Sequence, residues 1–435
     1  MNWTINPASS LRGVVSMPGD KSISHRALLH AALVQGTSRI ENFLHAGVTE
    51  AMMRSVRDLG VGIELEPPGG SATSGRLIVH GGQLRSPTSN LDCGNSGATI
   101  RMLMGALVGQ RDLVATLDGS AGLRRRPMKR VAEPLRLMGA ELGDTIPLNI
   151  HGRVLHGIEY TLPVASAQVK AAILLAALQA DSPTIIHELG PSRDHSERLL
   201  RSLGVSVVND NNTVTLAPPT KPLAAFETTV PGDISSAAFV FAAAALVPNS
   251  EVSVNNVGVN DTRTGILDAL VAMGADVTVS NVREVNGEPI ADITVKSGEL
   301  RGITVDGDLV VRMIDEFPIF AVLATQAQGE TSVREAEELR VKESDRIGSL
   351  ASELRKLGVQ IEERPDGFVI AGPTRLKGAV VDSHGDHRLA MSLAVAGLIA
   401  EGDTTVTRAE AYRESFPNFV ELLQGLGGKV HESHE

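Results

Sequence analysis

Short lysine and arginine clusters recur along this 435-residue chain, each beside a turn rich in glycine, serine or aspartate. Their natural chemistry is the handling of anions. Pro18-Gly-Asp-Lys-Ser-Ile-Ser-His-Arg26 sets Lys21, Ser22 and Arg26 in the first turns of a predicted helix, where backbone N–H groups already favour negative charge. It is not a nucleotide-phosphate loop, because Asp20 separates Gly19 from Lys21. In Asp92-Cys-Gly-Asn-Ser-Gly-Ala-Thr-Ile-Arg101, glycines around Asn95 would let the backbone approach a ligand closely. Leu123-Arg-Arg-Arg-Pro-Met-Lys-Arg130 offers three consecutive arginines; spacing leaves open which one faces a cleft, and Pro127 at a helix start would fix the choice. Ser166-Ala167-Gln168 reads as an N-cap before an Ala/Leu helix.

The later clusters add acids. Met313-Ile-Asp-Glu-Phe-Pro318 holds Asp315 and Glu316 in an apolar frame, where burial would raise a carboxyl pKa and a neighbouring cation would lower it. In a helix spanning Arg340-Val-Lys-Glu-Ser-Asp-Arg346, Lys342 and Arg346 would share a face, as would Glu343 and Arg346. His384-Gly-Asp-His-Arg388 opens onto another apolar run, but it lacks the helical histidine pair of a zinc site, so no metal is expected. Each cluster alone also fits a solvated or capped helix start. Repeated units that aim such starts at one cleft would concentrate positive potential there.

The elements that must position these groups show a repeat. Apolar residues at helical spacing lead into Leu-Gly or Met-Gly, with glycines at 60, 139, 204, 274, 358 and 427. Glycine suits a left-handed helix C-cap, where a Cβ would be strained. Six such endings, roughly 70 residues apart, imply repeated small α/β units, and six divide into three plus three. Length alone suggests two domains as well. A junction is expected near Phe226–Asp233, where Pro231-Gly232 interrupts the pattern and Asp233 or Ser235 would cap the Ala-rich helix that follows; the other crossing is expected at Pro18-Gly19-Asp20. The predicted domains are residues 21–229, and residues 1–20 with 230–435.

Composition sets the outer limits. Hydrophobic residues at 42% and charged residues at 21% describe a globular protein, and 3% aromatics describe a core of small aliphatic side chains, as in layered α/β folds. A net charge of −11 argues against nucleic-acid binding. The single cysteine, Cys93, excludes an intramolecular disulfide and a cysteine-based zinc site. No basic segment followed by an apolar run opens the sequence, so no signal peptide is expected. The longest apolar stretch, Ala237 to Val247, is too short to span a membrane, and a cytoplasmic location is expected.

Taken in order, these motifs resemble the 5-enolpyruvylshikimate-3-phosphate synthases. The resemblance runs from Gly19-Asp-Lys-Ser-Ile-Ser-His-Arg26 through Gly94-Asn95…Arg101, Arg126-Pro127, Ser166-Ala-Gln168, Arg340-Val-Lys-Glu-Ser-Asp-Arg346 and Asp386-His-Arg388 to Ser415-Phe-Pro-Asn-Phe419. Ser166-Ala-Gln-Val-Lys170, Arg193-Asp-His195 and Met313-Ile-Asp-Glu316 are most similar to the bacterial class II subgroup. It implies an α/β fold of two similar domains, each of three βαβαββ repeats around buried helices, an inside-out α/β barrel. It also implies a cofactor-free transferase of the shikimate pathway, which moves the enolpyruvyl group of phosphoenolpyruvate onto the 5-hydroxyl of shikimate 3-phosphate by addition and elimination and releases phosphate. The first domain would mainly bind shikimate 3-phosphate, the second would complete the phosphoenolpyruvate site, and the enzyme would be a cytoplasmic monomer.

By motif match, the resemblance assigns Lys21, Ser22, Arg26, Ser166, Ala167, Gln168, Arg193, Asp315 and Lys342 to shikimate 3-phosphate. It assigns Lys21, Asn95, Gly97, Arg126, Gln168, Arg346 and Arg388 to phosphoenolpyruvate. Arginine forks suit phosphate and carboxylate groups well. Lys21, Asp315, Lys342 and Glu343 become the acid–base candidates, with Glu343 protonating the methylene carbon.

Two departures stand out. Some relatives carry Lys-Thr-Phe-Pro where this chain has Glu414-Ser-Phe-Pro, so an anion contact is lost or supplied elsewhere, with Arg413 the neighbouring cation. Gly97 stands where glyphosate-tolerant relatives can carry alanine, which implies sensitivity to glyphosate. The competing families are the UDP-N-acetylglucosamine enolpyruvyl transferases and a non-catalytic anion-binding protein on the same fold. The former usually place a reactive cysteine before Arg-Pro, and Ser120-Ala-Gly-Leu-Arg-Arg-Arg-Pro127 contains none. The latter would be expected to lack at least one acid–base group.

Overall fold

A computed structural model describes residues 1–66 and 74–433. The chain divides into two compact units. The first is Gly19–Val230 with Val285–Glu288; the second is Met1–Pro18 with Pro231–Glu284 and Pro289–Glu435.

All six predicted glycine endings form. Gly60, Gly139, Gly204, Gly274, Gly358 and Gly427 have φ of 92°, 100°, 81°, 85°, 94° and 106°, the left-handed region that favours glycine. The next residue then reaches back to a carbonyl in the last turn of the helix. Val61 N bonds Val56 O at 3.2 Å, Val205 N bonds Leu200 O at 2.9 Å, and Gly428 N bonds Leu423 O at 2.7 Å. Each ending therefore turns the chain sharply out of a helix into the next segment.

Among the described residues, each unit carries three four-stranded sheets with one shared order. Thr184–His187 pairs in parallel with Glu159–Thr161 and antiparallel with Thr213–Leu216, which pairs antiparallel with Val207–Asp210. None of these sheets closes into a barrel, so the enclosing is done by separate open sheets around helices. Distant segments complete some of them. Glu227–Thr229 lies parallel to Gly36–Leu44 in the first unit, and Arg12–Ser16 lies parallel to Glu251–Gly258 in the second. Asn2–Asn6 sits between Thr404–Thr407 and Lys429–Ser433, with Trp3 opposite Val406 on one side and Glu432 on the other.

The helices inside the sheets hold the core. In the first unit they are α1 (Lys21–Leu33), α2 (Gly97–Leu107) and α3 (Ala167–Ala177). In the second they are α4 (Ile234–Leu246), α5 (Phe317–Gln326) and α6 (His387–Gly397). Helices apolar all round belong inside, and almost every residue of these six is buried. Small side chains allow them to come close. A Cβ on Gly105 of α2 would lie 2.1 Å from the carbonyl oxygen of Ala172 in α3, so a glycine is required there.

Two local expectations change. Pro127 does not start a helix: it lies between the short helix Ala121–Arg124 and the helix Lys129–Leu137. Arg340–Arg346 is not one helix either. A 3-10 turn covers Glu337–Val341, Lys342 is extended, and a new helix starts at Arg346. The reason is Asp345, whose Oδ1 accepts from Ile347 N and Gly348 N, both at 3.1 Å, and caps the new helix.

Candidate active site

The capping residues decide where the site groups stand. In the first unit, Asp20 Oδ1 accepts from Ile23 N at 2.9 Å and starts α1. Ser96 Oγ accepts from Thr99 N at 3.1 Å and starts α2, and Ser166 caps α3. The predicted residues fall at these starts: half-buried Lys21 and Ser22 on α1, Asn95 and Gly97 at α2, and Ser166, Ala167 and Gln168 at α3.

Arg26 ties two of the starts together from inside. Its Nε donates to Ser196 Oγ at 2.7 Å, Nη1 to the Ser22 carbonyl at 2.9 Å and Nη2 to the Ala167 carbonyl at 3.3 Å. Burial pushes its pKa down to about 10, against the opposing pull of Glu197 and Asp20, so it stays charged at neutral pH. Beside it, burial pushes His25 down to about 4, and the neutral ring contacts the Lys21 carbonyl at 2.7 Å.

Among the three consecutive arginines, Arg126 reaches the start of α2. Its Nη1 lies 2.7 Å from where a Cβ on Gly97 would be, whereas exposed Arg124 pairs with Asp118 through Nη2 at 2.7 Å. Arg101, which the motif match leaves without a role, donates to Gln168 Oε1, and its Nη1 lies 2.6 Å from the same Cβ position on Gly97.

In the second unit, Asp233 starts α4 by accepting from Ser235 N at 2.8 Å, and Asp386 starts α6 by accepting from Arg388 N at 2.9 Å. Asp386 also draws in Arg346, whose Nε donates to Oδ2 at 2.9 Å. Arg346 Nη2 donates to Glu343 Oε2 at 2.7 Å, and Nη1 lies 3.4 Å from Asp315 Oδ1. Arg388 Nη2 reaches the other oxygen, Asp315 Oδ2, at 3.6 Å. Arg346 and Arg388 are nearly inaccessible, at 1% and 3% exposure of their side chains, while Asp315 keeps 18%.

Burial opposes the charge on Arg346, but the carboxylates of Asp386, Glu343 and Asp315 outweigh it and push its pKa up. Burial likewise raises Asp386, yet the Arg346 guanidinium holds its carboxyl below the usual carboxylate range. The structure therefore brings Asp315, Glu343, Arg346 and Arg388 together, with Lys342 adjacent to Glu343 in the chain. Such a cluster can bind an anion through guanidinium groups and move protons through carboxylates.

The motif match leaves Asp386 without a role, although its position at a helix start before two basic residues is a sequence signal for one. Glu316 is fully buried and accepts from Ser235 Oγ, which in turn accepts from Arg263 Nη2 at 2.7 Å. Nothing in its local sequence announced that network. Arg413, the cation beside Glu414, stacks over Tyr412 at 5.6 Å from the ring centroid. Among the described residues no group of histidine, cysteine and acidic side chains is arranged to hold a metal, and no helix is long and apolar enough to cross a membrane.

A family model described as EPSP synthase (3-phosphoshikimate 1-carboxyvinyltransferase) matches residues 5–423. The chain is 48% identical over 427 residues to a 3-phosphoshikimate 1-carboxyvinyltransferase of Herpetosiphon aurantiacus, covering 96% of this chain and 98% of that one. It is similar to the solved EPSP synthase from Acinetobacter baumannii, with a TM-score of 0.87, 41% identity and full coverage of both chains. The enolpyruvyl transferase NikO from Streptomyces tendae shares the fold at a TM-score of 0.81 and 19% identity, with 99% of this chain and 98% of that one covered.

Proposed function

The chain belongs to the EPSP synthase family, and from that premise we propose how its residues divide the work. The reaction is transfer of the carboxyvinyl group of phosphoenolpyruvate to shikimate 3-phosphate with release of phosphate, in the shikimate route to aromatic amino acids. Both substrates carry a phosphate and a carboxylate, so their mutual repulsion must be neutralised before bonds can form.

In our reading, Lys21, Ser22, Arg26, Ser166, Ala167, Gln168 and Arg193 hold shikimate 3-phosphate, with Asp315 and Lys342 at its hydroxyls. The first unit then serves mainly this acceptor. Lys21, Asn95, Gly97, Arg126, Gln168, Arg346 and Arg388 hold phosphoenolpyruvate. Asp315 takes the proton of the 5-hydroxyl as the oxygen attacks the enol carbon. Glu343 gives a proton to the methylene carbon, and Lys21 and Lys342 stabilise the charge that moves. In the elimination Glu343, now a carboxylate, takes a proton back from the resulting methyl group as the C–O bond to phosphate breaks, which restores the double bond and releases phosphate. The enzyme works as a monomer in the cytoplasm.

The observation that carries this assignment is the Asp315 carboxylate held between two buried guanidiniums, Arg346 at 3.4 Å and Arg388 at 3.6 Å. It puts a proton acceptor and two anion-binding forks in one place. A UDP-N-acetylglucosamine acceptor has no comparable support. Cys93 is fully buried, and burial pushes its thiol up to about 12, which is unsuited to a reactive thiol. A phosphate-release assay decides. Release from phosphoenolpyruvate should require shikimate 3-phosphate, and release driven instead by UDP-N-acetylglucosamine would reverse the assignment.

A further inference from the structure

Lys170 follows Gln168 by two residues on α3, and it is buried at 1% exposure. Its ammonium lies 2.7 Å from Glu188 Oε2, 2.7 Å from Glu197 Oε1 and 3.4 Å from the Ser192 carbonyl. Glu188 also accepts from Ser192 Oγ. Glu197 is wholly buried, and among the described residues no other side chain donates to its carboxylate. Next to it, Ser196 accepts from Arg26 Nε at 2.7 Å.

Three charges buried together are a poor source of stability, because their desolvation offsets much of their attraction. What they supply is geometry, since one buried ammonium with three donors gathers acceptors from separate segments at a single point. The segments joined are α3 just after Gln168, the stretch from Glu188 to Ser192 that leads into Arg193, and the helix His195–Ser202. Through Ser196 the same cluster reaches Arg26 on α1.

We propose that Lys170, Glu188 and Glu197 form a positioning clasp that sets Gln168 and Arg193 at the separation needed to grip a phosphorylated cyclic acceptor. None of the three touches substrate. The inference rests on the reading that Gln168 and Arg193 hold shikimate 3-phosphate, and it deepens that reading.

The test is calorimetric binding of shikimate 3-phosphate to the intact enzyme, alongside steady-state kinetics and melting temperature. Lys170→Met should weaken acceptor binding by about tenfold or more, while kcat at saturating acceptor changes by less than about threefold. Ser192→Ala, a milder loosening, should weaken binding by about threefold with its melting temperature within about 2 °C of wild type. Glu188→Gln keeps an acceptor for Lys170 and should bind nearly as wild type. A lower melting temperature in Lys170→Met with unchanged acceptor binding would make the clasp merely structural and overturn the proposal. If Lys170→Met does not fold, Ser192→Ala decides, and unchanged binding there overturns it equally. Failure of the wild type to bind shikimate 3-phosphate would remove the functional reading and the clasp with it. Normal wild-type binding with indifferent variants would remove the clasp alone.

Discussion

Asp315 Oδ2 stands 3.6 Å from Nη2 of Arg388, a guanidinium only 3% exposed. Arg346 approaches the other oxygen of the same carboxylate at 3.4 Å. An anionic substrate that engages these arginines must compete with Asp315 for them, which ties anion binding to the state of the proposed base.

Removing that charge should separate the two roles. Asp315→Asn should lower kcat by about 10²-fold or more, the usual weight of a positioned base. The KM for phosphoenolpyruvate should stay level or fall, because two cations lose a competing carboxylate. Steady-state kinetics at saturating acceptor measures both, and a higher KM with intact kcat would confine Asp315 to binding.

Glu343 accepts from Arg346 Nη2 at 2.7 Å, so its removal leaves the guanidinium with Asp386 and Asp315. Glu343→Ala should reduce turnover by about 10²-fold while calorimetry shows acceptor binding within about twofold. Near-normal turnover would remove Glu343 as the acid.

Asp386 predicts a dependence of stability on pH. Its folded-state carboxyl is held below the ordinary value by Arg346, despite burial, so its contribution is complete above the unfolded-state pKa and disappears as pH falls through the folded one. Asp386→Asn should cost about 3 kcal/mol at neutral pH, as expected for breaking a buried pair. Denaturant titrations should find that gap constant from neutral to mildly acidic pH and narrowing below about pH 4, the ordinary carboxylate range.

Gly97 is bracketed by two cations: an added Cβ would stand 2.6 Å from Arg101 Nη1 and 2.7 Å from Arg126 Nη1. Both are tips of flexible side chains, so Gly97→Ala should fold normally but displace them. The KM for phosphoenolpyruvate should rise by about tenfold with acceptor KM nearly unchanged. Glyphosate should inhibit the wild type and inhibit this variant less; wild-type turnover unaffected at millimolar glyphosate would refute the first half.

What the sequence disclosed followed from locality. A left-handed helix ending demands glycine within a few residues of an apolar turn, so Gly60 and its five counterparts exposed the repeat directly. The helix starts at Asp20 and Asp233 were legible for the same reason. Arg126 could not be told from Arg124 and Arg125, because their directions depend on Gly97 and Asp118 in other segments. The charges of Arg340–Arg346 suggested one helix by spacing, but the cap formed by Asp345 overrides that pattern. Lys170 was the least legible. A lysine in an Ala/Leu helix normally reads as solvated, and the carboxylates that explain it lie in the separate segments that carry Glu188 and Glu197.

The strand Asn2–Asn6 has a further consequence, for the order of events at the ribosome. Its neighbours are Thr404–Thr407 and Lys429–Ser433, so it is made well before either strand that it pairs with. At about 5–20 residues per second, it waits roughly 20 to 80 seconds for partners while Gly19–Val230 is already synthesised. Trp3, buried in the finished protein against Tyr412 and Phe419, lacks those ring contacts throughout that interval. The sheet of the second unit that holds Asn2–Asn6 therefore stays incomplete until Lys429–Ser433 has been made.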